Sequence, residues 1–158
     1  MTRWTPSFKT RFPTYESYCD ATVHDIFSPQ QWAGALHLSA EEFRSGVFFG
    51  GAGGFSFEPF PIEAQAFPVR AVLTGYFRGQ TSGPQDILLA GNDYAVRAQW
   101  GREDAGKGLL LSVSGHKFSV VPAAAGFYAG KDVRRMVQAG HYIIVANNND
   151  NLQIFQNR

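Results

Sequence analysis

One stretch decides the fold of this chain: Gln85-Asp86-Ile87-Leu88-Leu89-Ala90-Gly91-Asn92-Asp93-Tyr94. A polar lead-in precedes a short aliphatic run, which ends in a Gly-Asn-Asp corner. A short apolar run bounded by turn residues is typical of a buried β-strand. Asn and Asp suit the corner because they tolerate left-handed backbone and bond their own main chain. The stretch therefore predicts a buried strand that ends in a tight turn.

The composition of the 158 residues favours an all-β domain with a substantial core. Aromatic residues make up 15% and charged residues only 17%, which disfavours disorder, and 17 Gly with 8 Pro indicate many turns. The net charge is +1, so we expect no nucleic-acid partner, because phosphate binding needs clustered Lys and Arg. The sequence has no apolar run of 18 residues, so we expect no membrane span.

Residues 1–45 carry helix signals and predict a short helical or irregular segment. Thr14 is a candidate N-cap for a helix that continues to Ile26. Ser28 is a second candidate N-cap, because Pro29 then occupies the first helical position. The pattern from Ser39 to Glu42 has the form of a capping box and predicts a third helix start.

Residues 46–158 predict about nine short strands joined by local hairpins. Glycine-rich and Asn-rich corners separate the apolar runs, so we expect antiparallel meanders. A propeller segment, a sandwich and a barrel all remain open as architectures. The expected strands are 47–49, 55–57, 69–77, 86–90, 109–113, 117–121, 132–138, 141–146 and 152–155.

Six stretches contain motifs in a characteristic order. A glycine-rich hairpin spans Ser45–Phe55, a strand with a Gly-Asn corner spans Asp86–Asn92, and a Gly-Arg-x-Asp-Ala turn spans Gly101–Ala105. Together with the segments 15–27, 59–65 and 146–155, these motifs resemble the FG-GAP/VCBS repeats of extracellular β-propellers. The segment Tyr15–Phe27 is similar to a helical insert of that family, Pro59–Gln65 to an inter-blade linker, and Ala146–Phe155 to a closing strand pair.

The resemblance implies a partial β-propeller made of antiparallel four-stranded blades. Residues 46–58 would be the two outer strands of one blade, 69–121 a complete blade, and 132–156 the three inner strands of the last. Such a piece leaves open strand edges, which tend to pair. We therefore expect a non-catalytic binding or scaffold domain that associates with a protein partner, or with itself, by edge pairing and so completes the propeller.

The resemblance also implies an extracellular or cell-surface location. The first residues show no apolar stretch typical of a signal peptide, so a cytoplasmic location is the alternative. Blades of this family often bind calcium through a loop of alternating Asp and Asn. The corresponding loop here, Tyr76 to Asp86, keeps one carboxylate and contains Arg78, which would repel a cation. We therefore expect no metal and no cofactor. The run Asn147–Asn151 is interpreted as a hairpin corner rather than a metal or sugar site.

The long loop before the next strand contains the richest cluster of polar and aromatic residues. Loops on a rigid β scaffold often carry function, so this loop is the candidate ligand site. Three uses remain open: a protein-binding surface, a carbohydrate-binding module that stacks sugars on its aromatic residues, or, third, a hydrolase built on Asp93, Glu103 and Asp104. An Arg102–Asp104 pair that only pins the loop is the structural alternative. No catalytic residue is predicted. The candidate ligand-binding residues are Asp93, Tyr94, Trp100, Arg102 and Asp104.

Overall fold

The computed structural model describes residues 6–97, 99–122 and 126–157 of the chain. Three antiparallel sheets account for most of its regular structure, and the helices are few and short. The all-β fold class is therefore confirmed. The chain divides into two compact units, of which the first ends at Glu41 and the second begins at Glu42.

From residue 6 onward, where the structure describes it, the first unit contains four short helices, α1 (Pro6–Arg11), α2 (Tyr15–Cys19), α3 (Val23–Ile26) and α4 (Pro29–Ala33). The predicted caps of α2 and α4 are confirmed: the Thr14 hydroxyl accepts the Ser17 N–H, and the Ser28 hydroxyl accepts the Gln31 N–H. In the described part of the chain, no helix is long and apolar enough to cross a membrane.

Two helix predictions need correction, and one helix was missed. The helix predicted from Thr14 to Ile26 is two helices, because the Thr22 N–H binds the Asp25 carboxylate at 2.8 Å and starts a new helix there. The start predicted at Ser39 is wrong, since no helix follows it. The Glu42 carboxylate, which would have closed that capping box, instead accepts the backbone N–H of Arg44 and pairs with its guanidinium. Helix α1 was not predicted.

In its described residues the second unit contains nine strands, which form three separate antiparallel sheets. Their number and positions agree closely with the strands predicted from the sequence. The first sheet pairs β1 (Gly46–Gly51) with β2 (Gly54–Pro59). The central sheet has the order β3 (Val69–Gly75), β4 (Asp86–Gly91), β5 (Leu109–Ser114), β6 (Lys117–Val120). The last sheet has the order β7 (Val133–Ala139), β8 (Tyr142–Asn147), β9 (Gln153–Gln156).

The central sheet lies between the other two, and it is buried on both faces along β4. Every residue of β4 is buried, so its alternating side chains serve two cores. Ile87 and Leu89 pack with the core on the side of the first sheet, whereas Leu88 and Ala90 pack with the core shared with the last sheet. The first core also contains Phe60, Ala64, Phe67 and Leu111, and the second Ala71, Leu110, Ala129, Val133, Met136, Ile143 and Val145. No strand joins one sheet to the next among the described residues, so the barrel alternative is not seen there.

The corner after β4 is built around the fully buried side chain of Asn92, whose φ is 83°. Its Oδ1 accepts the Gly106 N–H at 2.8 Å, and its Nδ2 lies within hydrogen-bond distance of the carbonyls of Gly106, Gly130 and Lys131. Its own backbone N–H donates to the carbonyl of Pro68. One amide thus ties the central sheet to the segment that leads into the last sheet.

We expect Asn92→Ala to lower the free energy of unfolding by about 3 kcal/mol, because it leaves a buried N–H and buried carbonyls without a partner. Equilibrium urea denaturation followed by circular dichroism measures this loss. Asn92→Gly is the matched control, since glycine adopts the positive φ freely but has no amide. If Asn92→Gly is as stable as the unmodified chain, backbone conformation rather than the hydrogen bonds makes Asn92 important.

Candidate functional site

Asp93 lies in a network of charges that holds the start of the loop. Its carboxylate pairs with Arg70 on β3 and with Arg134 on β7, and it accepts the Ala95 N–H at 3.0 Å. This backbone hydrogen bond, assisted by the charges of Arg134 and Arg70, lowers the pKa of Asp93. The carboxylate therefore stays ionised, and its oxygen atoms bind groups of the protein itself. Through these contacts Asp93 links the central and last sheets.

Tyr94 and Arg102 form a second structural contact in the loop. The Tyr94 hydroxyl donates to the carbonyl of Gly130 at 2.9 Å. The Arg102 guanidinium lies over the Tyr94 ring, 5.1 Å from its centroid, which is a cation–π geometry. In the described part of the chain Arg102 makes no ion pair with Asp104, so the structural alternative that paired these two residues is replaced by the contact with Tyr94.

Trp100 is the candidate residue that the structure leaves most open. Its side chain is 80% exposed, at a turn in which its N–H donates to the carbonyl of Arg97. An exposed Trp offers a large rigid face that a sugar ring or a protein side chain can cover. Of the two aromatic residues predicted as stacking platforms, Trp100 is therefore the free one, because the Tyr94 ring already carries Arg102.

A shallow cleft of about 480 Å³ lies beside the other end of the loop. Arg102, Glu103 and Asp104 line one side of it, and Gln65 and Phe67 line another. The structure thus brings two of the five predicted residues to one cleft, while Asp93, Tyr94 and Trp100 do not line it. Glu103 and Asp104 share this surface without Asp93, the third carboxylate of the hydrolase hypothesis.

In the loop compared above with a calcium site, the positive charge beside the carboxylate is the guanidinium of Arg78. Asp86 is fully buried, and its carboxylate accepts hydrogen bonds from the Arg78 guanidinium, the Gln80 amide and the Phe77 N–H. Burial raises the pKa of Asp86, but the hydrogen bonds from Arg78 and Gln80 outweigh burial and the pKa is lowered. The guanidinium compensates the one carboxylate that the loop keeps.

The Asn-rich run forms a hairpin corner. The Asn147 amide donates to the carbonyl of Asn151 at 2.8 Å, Asn149 has a φ of 53°, and Asp150 pairs with Lys131. No group of three or more His, Cys, Asp or Glu with the spacing of a metal site occurs among the described residues.

Two apolar faces at the ends of the sheet stack were missed by the sequence reasoning. On the first sheet, Phe48 and Phe55 are 65% and 80% exposed on the face turned away from the central sheet. On the last sheet, the cross-strand row Val137–Ile144–Ile154 lies on the face turned away from the central sheet. The available signal was the pattern of β8, which is apolar at successive positions rather than at alternate ones.

Comparison of the chain with models of known families, with curated proteins and with solved structures finds no match. The resemblance to FG-GAP/VCBS repeats therefore remains a prediction. The function must be argued from the geometry of the strands, loops and exposed faces.

We expect Arg78→Met to lower the melting temperature at pH 7 by roughly 5 °C, because it leaves the buried Asp86 carboxylate without its main partner. The double variant Arg78→Met with Asp86→Asn should recover part of this loss, since the buried group is then neutral. A double variant no more stable than Arg78→Met would contradict the pairing. Differential scanning calorimetry measures both.

The lowered pKa of Asp86 also predicts a pH dependence. A carboxylate with a lowered folded-state pKa stabilises the fold above its ordinary pKa of 3.8 and loses that contribution as pH falls through the lowered value. Stability should therefore fall below about pH 4. The Asp86→Asn variant should show a shallower fall, and identical acid profiles for the two proteins would rule out this contribution.

Proposed function

We propose that this chain is a non-catalytic binding or scaffold domain that works through protein–protein contacts at its open strand edges. Its sheets would be propeller-type blades like those at the C-terminal end of an FG-GAP/VCBS propeller. An extracellular or cell-surface location belongs to the same proposal. The grouping of strands as two, four and three supports it, because the resemblance implies the same grouping.

The observation that carries the proposal is the free edge of β9. In the described part of the chain no strand pairs with β9 on the side away from β8, whereas the third strand of the central sheet, β5, pairs with β6. The Asn157 N–H donates inward to the carbonyl of His141. Because inward and outward groups alternate along an antiparallel strand, the N–H groups of Ile154 and Gln156 point to the free edge. An added strand would satisfy them.

The carboxylates of the loop support a non-catalytic role. A general acid or base needs a carboxyl group that is free to exchange a proton with a substrate. Asp93 is held ionised by Arg70, Arg134 and a backbone N–H. The backbone of Glu103 pairs with that of Asp93 and adds to the rigidity of the loop.

We expect the purified chain to associate with rising concentration, and we expect Gln156→Pro to raise the dissociation constant about tenfold, because it removes an outward N–H and blocks strand addition. Proline is tolerated at such an edge position, so the fold should survive. Sedimentation velocity over a concentration series measures the change. Gln156→Ala, which keeps the N–H, should associate like the unmodified chain, and a monomer at every concentration would refute self-association by edge pairing.

The exposure of Trp100 favours carbohydrate binding as a second candidate function. A sugar stacked on this ring should lose about tenfold in affinity in Trp100→Ala, since the aromatic face is removed. A glycan array followed by calorimetry on the hits measures the effect. Tyr15→Ala removes an aromatic side chain that is 81% exposed in the first unit, and it should leave glycan binding unchanged. An array without hits would count against this candidate.

A further inference from the structure

The central and last sheets are two copies of one strand pattern. In the central sheet β3 pairs with β4 with a bulge between Val69 and Ala71, and in the last sheet β7 pairs with β8 with a bulge between Val133 and Arg135. The bulge occupies the same register position in both sheets. When positions are counted from the bulge, β3 corresponds to β7 and β4 corresponds to β8. Because β5 pairs with β4 and β9 pairs with β8, β5 corresponds to β9. The structural repeat exists although the residues differ.

This correspondence indicates what kind of surface packs against the outer face of the last sheet. The central sheet contacts the last sheet through a face that includes Leu73, Leu88 and Leu110. These positions form one cross-strand row, because Leu88 pairs with both of the others. Their equivalents in the last sheet are Val137, Ile144 and Ile154. The last sheet therefore repeats on its outer side the kind of surface that already binds a sheet inside the molecule.

The outer face of the first sheet corresponds to the face of the central sheet that points toward the first sheet. Its hairpin matches the β5–β6 hairpin, because a two-residue turn links Gly51 to Gly54 and another links Ser114 to Lys117. By register, Phe48 matches Leu111, Phe55 matches Phe118 and Phe57 matches Val120. Leu111, Phe118 and Val120 all belong to the core on the side of the first sheet.

The rings of Phe48, Phe55 and Phe57 form an aromatic surface on the outer face of the first sheet. The rings of Phe48 and Phe57 lie 4.9 Å apart between their centroids. The Phe57 ring covers the space that a Cβ would fill at Gly46, and the Phe55 ring does so at Gly50. The two glycines leave room for the rings to lie flat on the strand. A broad aromatic surface results, and exposed apolar surfaces of this kind mark interaction sites.

We infer that copies of this chain associate head to tail, with the Phe48–Phe55–Phe57 face of one copy packed on the Val137–Ile144–Ile154 face of the next. The inference rests on the proposed function as an assembly domain, and it adds a contact between sheet faces to the pairing at strand edges. Each contact between sheets within the chain joins a face equivalent to Leu73–Leu88–Leu110 to a face equivalent to Leu111–Phe118–Val120. In the described residues, these two outer faces are the ones that lack such a partner. A heterologous contact of this kind produces a ring if the rotation closes and a filament if it does not.

Two single variants test the contact because each blocks one face only. Ile154 is 64% exposed and Phe48 is 65% exposed, so a lysine at either position leaves both cores intact. In the Gln156→Pro background, which weakens edge pairing at β9, we expect Ile154→Lys alone and Phe48→Lys alone to be monomers of 17.4 kDa, with the dissociation constant raised about 30-fold or more. An equimolar mixture should form a species of twice that mass, because one intact face of each kind remains. That dimer cannot grow further, since its outer faces both carry lysine.

Sedimentation equilibrium on each variant and on the mixture measures these masses, and circular dichroism melting curves verify that the variants fold. Ile62→Lys is the matched control, because Ile62 is 78% exposed but lies outside the three sheets, and it should assemble like the unmodified chain.

Every other outcome overturns the head-to-tail contact. If Phe48→Lys assembles normally while Ile154→Lys does not, two last-sheet faces pack on each other instead. If Gln156→Pro alone is already a monomer, edge pairing carries the whole association, so the proposed function stands and this inference fails. A mixture that remains monomeric, or an unmodified chain that is monomeric at all concentrations, also refutes it, and the latter refutes self-association altogether.

Discussion

The second unit depends on one buried amide. Asn92 follows the strand that is buried on both faces, and its side chain satisfies backbone groups of the loop before β5 and of the segment before β7. A buried backbone group without a partner is costly, so the loop and the segment are held at fixed distances from β4. Gly106 allows this approach, because a Cβ at that position would overlap the Asn92 Oδ1. The spacing between the central and last sheets follows from this contact.

Charged residues reinforce the same arrangement at its margins. Arg134 on β7 reaches both Asp93 and the buried Asp132, so the entry to the last sheet is joined electrostatically to the loop after β4. At the other end of β4, Arg78 performs a comparable role for Asp86. The carboxylates of Asp86 and Asp93 accept hydrogen bonds from guanidinium and amide groups of the chain itself. This explains why loop residues with the chemistry of ligand-binding sites serve here to position strands.

Stacked sheets impose a second constraint, which concerns the ends of the stack. A sheet that is apolar on both faces must be covered on both: the last sheet covers one face of the central sheet, and Phe60, Ala64 and Phe67 with Val47 of the first sheet cover the other. The neighbours have apolar outer faces as well, with Phe48 on one and Ile154 on the other. Burial of such faces is the main favourable contribution to association in water. The same hydrophobic effect that builds the two internal cores therefore acts on the end faces and favours further stacking.

The sequence by itself determined the strands, their hairpin connections and the corner at Asn92, because period-two apolar patterns and turn residues act over a few neighbouring positions. It determined two of the helix caps for the same local reason, but it missed the break at Thr22, where the Asp25 carboxylate competes for the backbone. Only the tertiary structure decided what the loop residues do. Asp93 is bound by Arg70 and Arg134, which lie 23 and 41 residues away, and Trp100 is left exposed. Local pattern shows that a strand face is apolar, but which sheet packs against that face depends on residues distant in sequence, so only the tertiary structure decides whether the face is covered.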